Sequence, residues 1–154
     1  MTDTDSSEEA IDPADIRLRA MNLLARREHS QRELREKLAA RFSAPELIDE
    51  VLATLAEENL QSDQRFAESF VRQRVSQGYG PMRLRQESRQ RGLSESDLED
   101  ALVSVAPNWF DLAEACYRKK FGEVPAEDLQ DKARRVRFMN YRGFSREHYE
   151  HLMD

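Results

Sequence analysis

The chain has 154 residues, 39% hydrophobic and 35% charged, with a single cysteine, which is the length of one ordinary domain or of a short repeat array and enough to bury a core. No apolar run approaches the roughly 20 residues needed to cross a bilayer, which excludes a membrane-spanning helix, and the lone Cys116 excludes an internal disulfide and any Cys-x-x-Cys zinc or redox site. The formal charge of -6 lies wholly in residues 1 to 15, which hold six acids and no base; such a start is the reverse of a secretory signal, so a cytoplasmic protein is expected.

Residues 1 to 13 read as an acidic disordered tail. They show no apolar periodicity, and deleting residues 1 to 12 is expected to leave stability unchanged. From there apolar residues recur at helical spacing, as in Leu47, Ile48, Val51, Leu52 and Leu55, and no run of period two is sustained. The pattern predicts helices over 14–28, 31–41, 44–58, 63–77, 81–91, 95–105, 109–121, 126–140 and 146–153. Ser30 with Glu33, Ser43 with Glu46, and Ser94 with Asp97 have the spacing of N-caps answered by a carboxylate three residues on. Gly80-Pro81, Asn108 and Pro125 also open helices well. Asn59, Gly78, Gly92, Gly122 and Gly143 each follow a periodic segment, where a residue tolerant of positive φ ends a helix.

An internal repeat organises these helices. Phe42-Ser43 with Leu47 and Val51, Leu93-Ser94 with Leu98 and Leu102, and Phe144-Ser145 with Tyr149 and Met153 share one pattern. Their serines stand at 43, 94 and 145. Each unit has three helices and buries little alone, so stacking is the expected solution. The predicted fold is all-α: three tandem three-helix repeats, over 14–62, 63–108 and 109–154, forming an elongated, curved array.

Charge follows the repeat. Residues 16–41 hold eight bases and three acids, 43–63 six acids and no base, and 64–93 seven arginines and two acids; 94–131 hold ten acids and three bases, and 132–142 five bases and no acid. One reading is of solvated helix faces that pair with one another. The other is a set of equivalent second helices, 31–41, 81–91 and 132–140, turning their bases to one partner. Segment 81–91 is the most unusual, with a narrow apolar stripe of Met82, Leu84 and Ser88 and only Glu87 to pair with Arg83, Arg85, Arg89 and Arg91. Arginine outnumbers lysine twenty to four, and guanidinium forks suit bidentate contact with phosphate or carboxylate. Tyr79 stands ready to stack on a base or a partner side chain. Lys132, Arg134, Arg135 and Arg137 repeat the feature, with Phe138 and Tyr141 interleaved.

Little points to catalysis. No phosphate-binding loop is present, and no nucleophile, base and orienting group can be assembled. Gly78-Tyr79-Gly80-Pro81 reads as a helix-to-helix turn. His148 and His151 with Glu147 and Glu150 read as a surface turn rather than a metal site, and Cys116 reads as a small buried hydrophobe. No enzyme, no metal and no other cofactor is expected.

Four strings carry a resemblance: Leu24-x-x-Arg27-x-x-Ser30-x-x-Glu33-Leu34; Ser62-Asp63-x-Arg65-Phe66-Ala67-x-x-Phe70-Val71-x-x-Arg74; Gly80-Pro81-x-Arg83-Leu84-x-x-Glu87; and Ala101-Leu102. From about Ile16 to the C-terminus the chain resembles the RecX family, regulators of the bacterial recombinase RecA. Ser88 departs from it, standing where the family usually has leucine. The resemblance implies a cytoplasmic, all-helical protein of three three-helix repeats that lodges in the groove of the RecA filament on single-stranded DNA. There it would inhibit ATP hydrolysis, strand exchange and the co-protease activity that triggers the damage response. The candidate partner contacts are Arg65, Arg72, Arg74, Tyr79, Arg83, Arg85, Arg89, Arg91, Lys132, Arg134, Arg135 and Arg137, on a monomer with weak affinity for DNA and none for membranes. The residues alone leave open a helical protein that acts by occupying DNA itself, because phosphate contacts respond to local rather than net charge.

Overall fold

The computed structural model describes residues 10–154. Among these it has nine α-helices, a terminal 3-10 turn and no strand: α1 Pro13–Arg26, α2 Gln31–Ala39, α3 Pro45–Glu57, α4 Asp63–Ser76, α5 Pro81–Gln90, α6 Glu95–Val105, α7 Trp109–Phe121, α8 Leu129–Arg142, α9 Arg146–Tyr149, and the turn Glu150–Met153. Inter-residue contacts divide the described residues into two units, the first ending at Phe66 and the second running from Ala67 to Asp154, with the boundary inside α4.

Local signals account for most helix ends. Ser30 forms a full capping box: its hydroxyl accepts from the Glu33 amide at 3.1 Å, and the Glu33 carboxylate accepts from the Ser30 amide at 3.1 Å. Ser94 accepts from the Asp97 amide and Asn108 from the Asp111 amide. Asn59, Gly78, Gly92, Gly122 and Gly143 all have positive φ, as their positions after periodic segments predicted. Two expectations are corrected. Ser43 does not cap α3, which begins at Pro45 behind Ala44, since proline at the first helical position has a preset φ and no amide to satisfy. Helix α8 starts at Leu129, not at 126, because Asp128 supplies the cap by accepting from the Asp131 amide at 2.8 Å. Helix α6 covers Glu95–Val105 as predicted and is closed by Ala106, an alanine at φ 52, followed by a proline that cannot continue the helix.

The acidic start is the third correction. Residues 1–9 lie outside the described residues, but Ile11 packs against the first core and the Asp12 carboxylate caps α1 by accepting from the Ala14 amide at 2.9 Å. Deleting residues 1–12 is therefore expected to lower stability, by about 1 kcal/mol from the lost cap alone. Thermal unfolding of the truncated chain checks this, and an unchanged midpoint would show that Ile11 and Asp12 contribute nothing.

In the first unit, α1, α2 and α3 close over Ile16, Ala20, Leu23, Leu34, Leu38, Ile48, Val51, Leu52 and Leu55. The loop before α2 is tied to the loop before α4. Asp63 accepts from the Gln31 amide at 2.8 Å, and the Gln61 amide nitrogen donates to the His29 carbonyl at 3.2 Å and to Asp63 at 3.0 Å. His29 is only 2% exposed. Its Nδ1 lies 3.1 Å from the Arg27 carbonyl and its Nε2 3.0 Å from Lys37 Nζ. A carbonyl and an ammonium on opposite sides fix the tautomer: Nδ1 carries the proton and Nε2 accepts.

Burial and the neighbouring Arg27 and Lys37 hold the His29 pKa below its usual value, with the Arg27 carbonyl bond and Glu33 working the other way. Protonation would set a second cation against Lys37. A pKa lower in the folded than in the unfolded chain means that the unfolded state binds the proton more readily, so stability is full above about pH 6.5 and falls as pH drops below it. Unfolding midpoints between pH 7.5 and 5.5 should decline for the natural chain and be flatter for His29→Gln, whose amide can donate and accept without titrating.

In the second unit, Ala67, Phe70, Val71, Leu84, Leu93, Leu98 and Ala101 are buried within α4 to α6, with Ser88 buried at the departure noted above. Helices α7 to α9 close over Ala113, Tyr117, Met139, Phe144, Tyr149 and Met153. The Tyr149 hydroxyl donates to Asn140 at 2.7 Å.

Candidate partner interface

Helix α5 presents its arginines in two directions, because residues four apart share a face while residues two apart do not. Arg83 and Glu87 form one pair, with Arg83 Nε donating to the Glu87 carboxylate at 2.9 Å. Arg85 and Arg89 lie on another face, in a hollow shared with Leu93, Glu95, Leu98 and Glu99. There Arg85 pairs with Glu99.

The Arg83 face belongs to a close junction between the second and third repeats. The amide of Gly80 donates to the Arg142 carbonyl at 2.8 Å and that of Met82 to the Gly143 carbonyl at 2.9 Å. Amides left over at the start of α5 are thus satisfied by carbonyls left over at the end of α8. Tyr79 sits among three guanidinium groups, with Arg142 4.1 Å, Arg83 4.4 Å and Arg74 5.1 Å from its ring centre. Glu87 pairs with two of them, Arg83 and Arg74. Arg74 lies 2.6 Å from its second oxygen, in a charge contact rather than an aligned hydrogen bond. Arg83 also donates to the Tyr141 carbonyl at 3.2 Å, and Arg142 to the carbonyls of Gln77 and Gly78.

Placed in the structure, the twelve sequence-predicted contacts have different surroundings. Arg65 is engaged in the first unit with Glu28 at 3.0 Å and with both the side chain and carbonyl of Asn59 at 2.9 Å. Arg74, Tyr79 and Arg83 make up the junction just described. Arg91 lies over the Phe70 ring. Arg135 is 4% exposed and donates to the Tyr117 hydroxyl at 2.8 Å and the Val124 carbonyl at 2.7 Å, with Asp131 3.2 Å away. It is packed within the third repeat and has no free face to offer a partner. Arg72 and Arg134 are exposed and pair within their own helices, with Glu68 and Asp131. The Arg134 bond, followed by the Glu127 amide, holds the Asp131 carboxyl below the usual carboxylate range. Arg89 and Arg137 are exposed, and neither they nor Lys132 has an ion pair among the described residues.

Sequence reasoning missed the surface between α5 and the end of α8. Met82 is 60% and Tyr141 69% exposed, and with Arg83, Gln86, Gln90 and Asn140 they line an open groove of about 520 Å³. An exposed aromatic, an exposed methionine and side-chain amides over an arginine floor form a contact surface able to take both apolar and polar groups. Nothing local in the sequence joins Met82 to Tyr141. Among the described residues no group of three or more His, Cys, Asp or Glu side chains is arranged to hold a metal, and no helix is long and apolar enough to cross a membrane.

Successive three-helix units with outward arginines define a class, a helical-repeat protein. The chain belongs to the RecX family, whose first, second and third three-helix domains match residues 17–55, 62–102 and 108–148. A Regulatory protein RecX of Pseudomonas syringae pv. tomato is 47% identical over 133 residues, covering 86% of this chain and 85% of that one. One from Ectopseudomonas mendocina is 47% identical over 134 residues, covering 86% and 89%. The crystal structure of RecX from Lactobacillus salivarius matches with a TM-score of 0.71 at 20% identity over 92% of this chain and 94% of that one. Another regulatory protein RecX structure matches with a TM-score of 0.77 at 24% identity, over 91% and 72%. These two share the fold. The relatives are named as regulatory proteins, with no reaction in the name.

Proposed function

We propose that this protein regulates RecA by binding the RecA filament on single-stranded DNA, as a cytoplasmic monomer, and holds down its ATP hydrolysis, strand exchange and co-protease activity. The observation that carries this reading is the match of all three RecX domains in order along the chain. The contact residues are those whose side chains are turned outward and not required by the fold: Arg85 and Arg89 on α5 and Arg137 on α8, with Met82 and Tyr141 beside them. Arg83 is left out because it holds the junction.

The test is ATP hydrolysis by preformed RecA filaments with and without the protein; no effect at stoichiometric excess would sink the reading. Each exposed arginine contributes about 0 to 1 kcal/mol, so single alanine variants should be nearly silent. Replacing Arg85, Arg89 and Arg137 together is expected to raise the concentration for half inhibition about tenfold with unchanged helicity, since alanine is a strong helix former. Full inhibition by the triple variant would place the contact elsewhere.

The exposed Arg89 and Arg137, without an ion pair among the described residues, also favour a second reading, in which the protein acts by occupying the DNA. Salt separates the two. Binding through phosphates alone falls steeply between about 50 and 200 mM salt, whereas docking on a protein groove keeps the apolar part of its affinity.

A further inference from the structure

A second groove, of about 530 Å³, opens between the end of α4, one face of α7 and the last turns of α8. Val75, Leu112, Ala115, Cys116 and Phe138 form its walls, and Lys119, Lys120 and Arg142 stand on its rim. No acid lines it. We infer that this groove is a docking site for an acidic, amphipathic protein segment, which places an aliphatic side chain between Leu112 and Phe138 and its carboxylates against Lys119, Lys120 and Arg142. The inference does not depend on which protein carries the segment.

Charge complementarity selects the occupant. A rim of three cations around an apolar floor takes a ligand that is apolar on one side and anionic on the other, the form of a helix laid in a groove. A stacked nucleobase fits less well. Lys120 Nζ already lies 5.3 Å from the Phe138 ring centre, and Phe121 meets the same ring edge-on at 5.4 Å. Stacking a base on that ring would compete with both contacts. Arg142 is held in place by the carbonyls of Gln77 and Gly78, so its charge is fixed at the rim. Burial pushes the Cys116 thiol pKa up, against Arg142 and Lys119, which makes the wall uncharged at neutral pH.

Cys116 is the chain's single cysteine, so its alkylation by a maleimide reports on the groove alone. The probe is a short synthetic helix with leucines at i, i+3, i+4 and i+7 and Asp or Glu elsewhere; the control replaces the acids with lysine. The acidic peptide is expected to slow alkylation of the full-length protein about tenfold near saturation, and the lysine peptide to leave it unchanged. Lys119→Glu with Lys120→Glu, both at exposed positions, should weaken peptide binding about tenfold. Ala115→Glu, also exposed and helix-compatible, should abolish it by filling the floor with a like charge. Absence of protection, equal protection by both peptides, or undiminished binding by the Lys119→Glu, Lys120→Glu variant would overturn the proposal. Protection by oligothymidylate but not by the acidic peptide would reassign the groove to nucleic acid. Protection that rises with protein concentration alone would reassign it to a second copy of the chain. Because the readout contains no RecA, a negative result here leaves the proposed regulation standing, and failure of that regulation leaves this test intact.

Discussion

Gly143→Ala is expected to destabilise the protein by about 3 kcal/mol, read as a lower urea midpoint with the helical signal of the folded state retained. Two effects add. Gly143 has φ +100, a conformation that an L side chain adopts only with strain, and a Cβ there would lie 2.5 Å from Arg83 Cβ and 2.7 Å from its backbone nitrogen. The neighbour that must yield is the first turn of α5, which is bonded to Gly143 through the Met82 amide. Relieving the contact therefore means breaking that bond and disturbing Arg83 above Tyr79. Gly80→Ala tests the same junction from its other side, since a Cβ there would lie 2.5 Å from the carbonyl carbon and oxygen of Gly143. A Gly143→Ala variant of natural stability would mean that the α5 to α8 junction opens in solution.

Arg135→Ala is the other large effect, with an expected loss of about 3 kcal/mol. The substitution removes the donor to the Tyr117 hydroxyl and the Val124 carbonyl and leaves Asp131 with one partner fewer. It also withdraws a guanidinium 4.9 Å from the Phe121 ring centre. Arg135→Lys should recover only part of the loss, because one ammonium cannot reproduce a planar fork directed at several acceptors. Urea unfolding of both variants checks the ranking. If Arg135→Ala kept natural stability and lost the proposed RecA inhibition, Arg135 would be a partner contact, as the sequence pattern first suggests.

The contrast between Arg135 and Arg137 shows where reading residues in order stops. The two stand two positions apart in one basic run and are alike by type and local charge, yet one is packed inside the third repeat and the other is exposed. Arg142 shows it again. It belongs to the same basic block, and its function in the fold, closing over Tyr79 and the carbonyls of Gln77 and Gly78, depends on residues more than sixty positions away.

What the sequence by itself determined was most of what is set within one helical turn of a residue. The all-helical class, the capping box of Ser30 and Glu33, the positive-φ stops and the three three-helix units follow from propensity, capping and period, which act over three or four neighbours. The same local physics explains the misses at Ser43 and Pro125, where two adjacent start signals compete and the choice rests on a small difference. Only the tertiary structure decided which cations face outward, that Met82 and Tyr141 share a groove, and that Cys116 lines another. Those outcomes depend on the packing angle between helices distant in the chain, and side chains two residues apart on one helix are sorted to a core, a junction or the solvent by what the neighbouring helix brings to meet them.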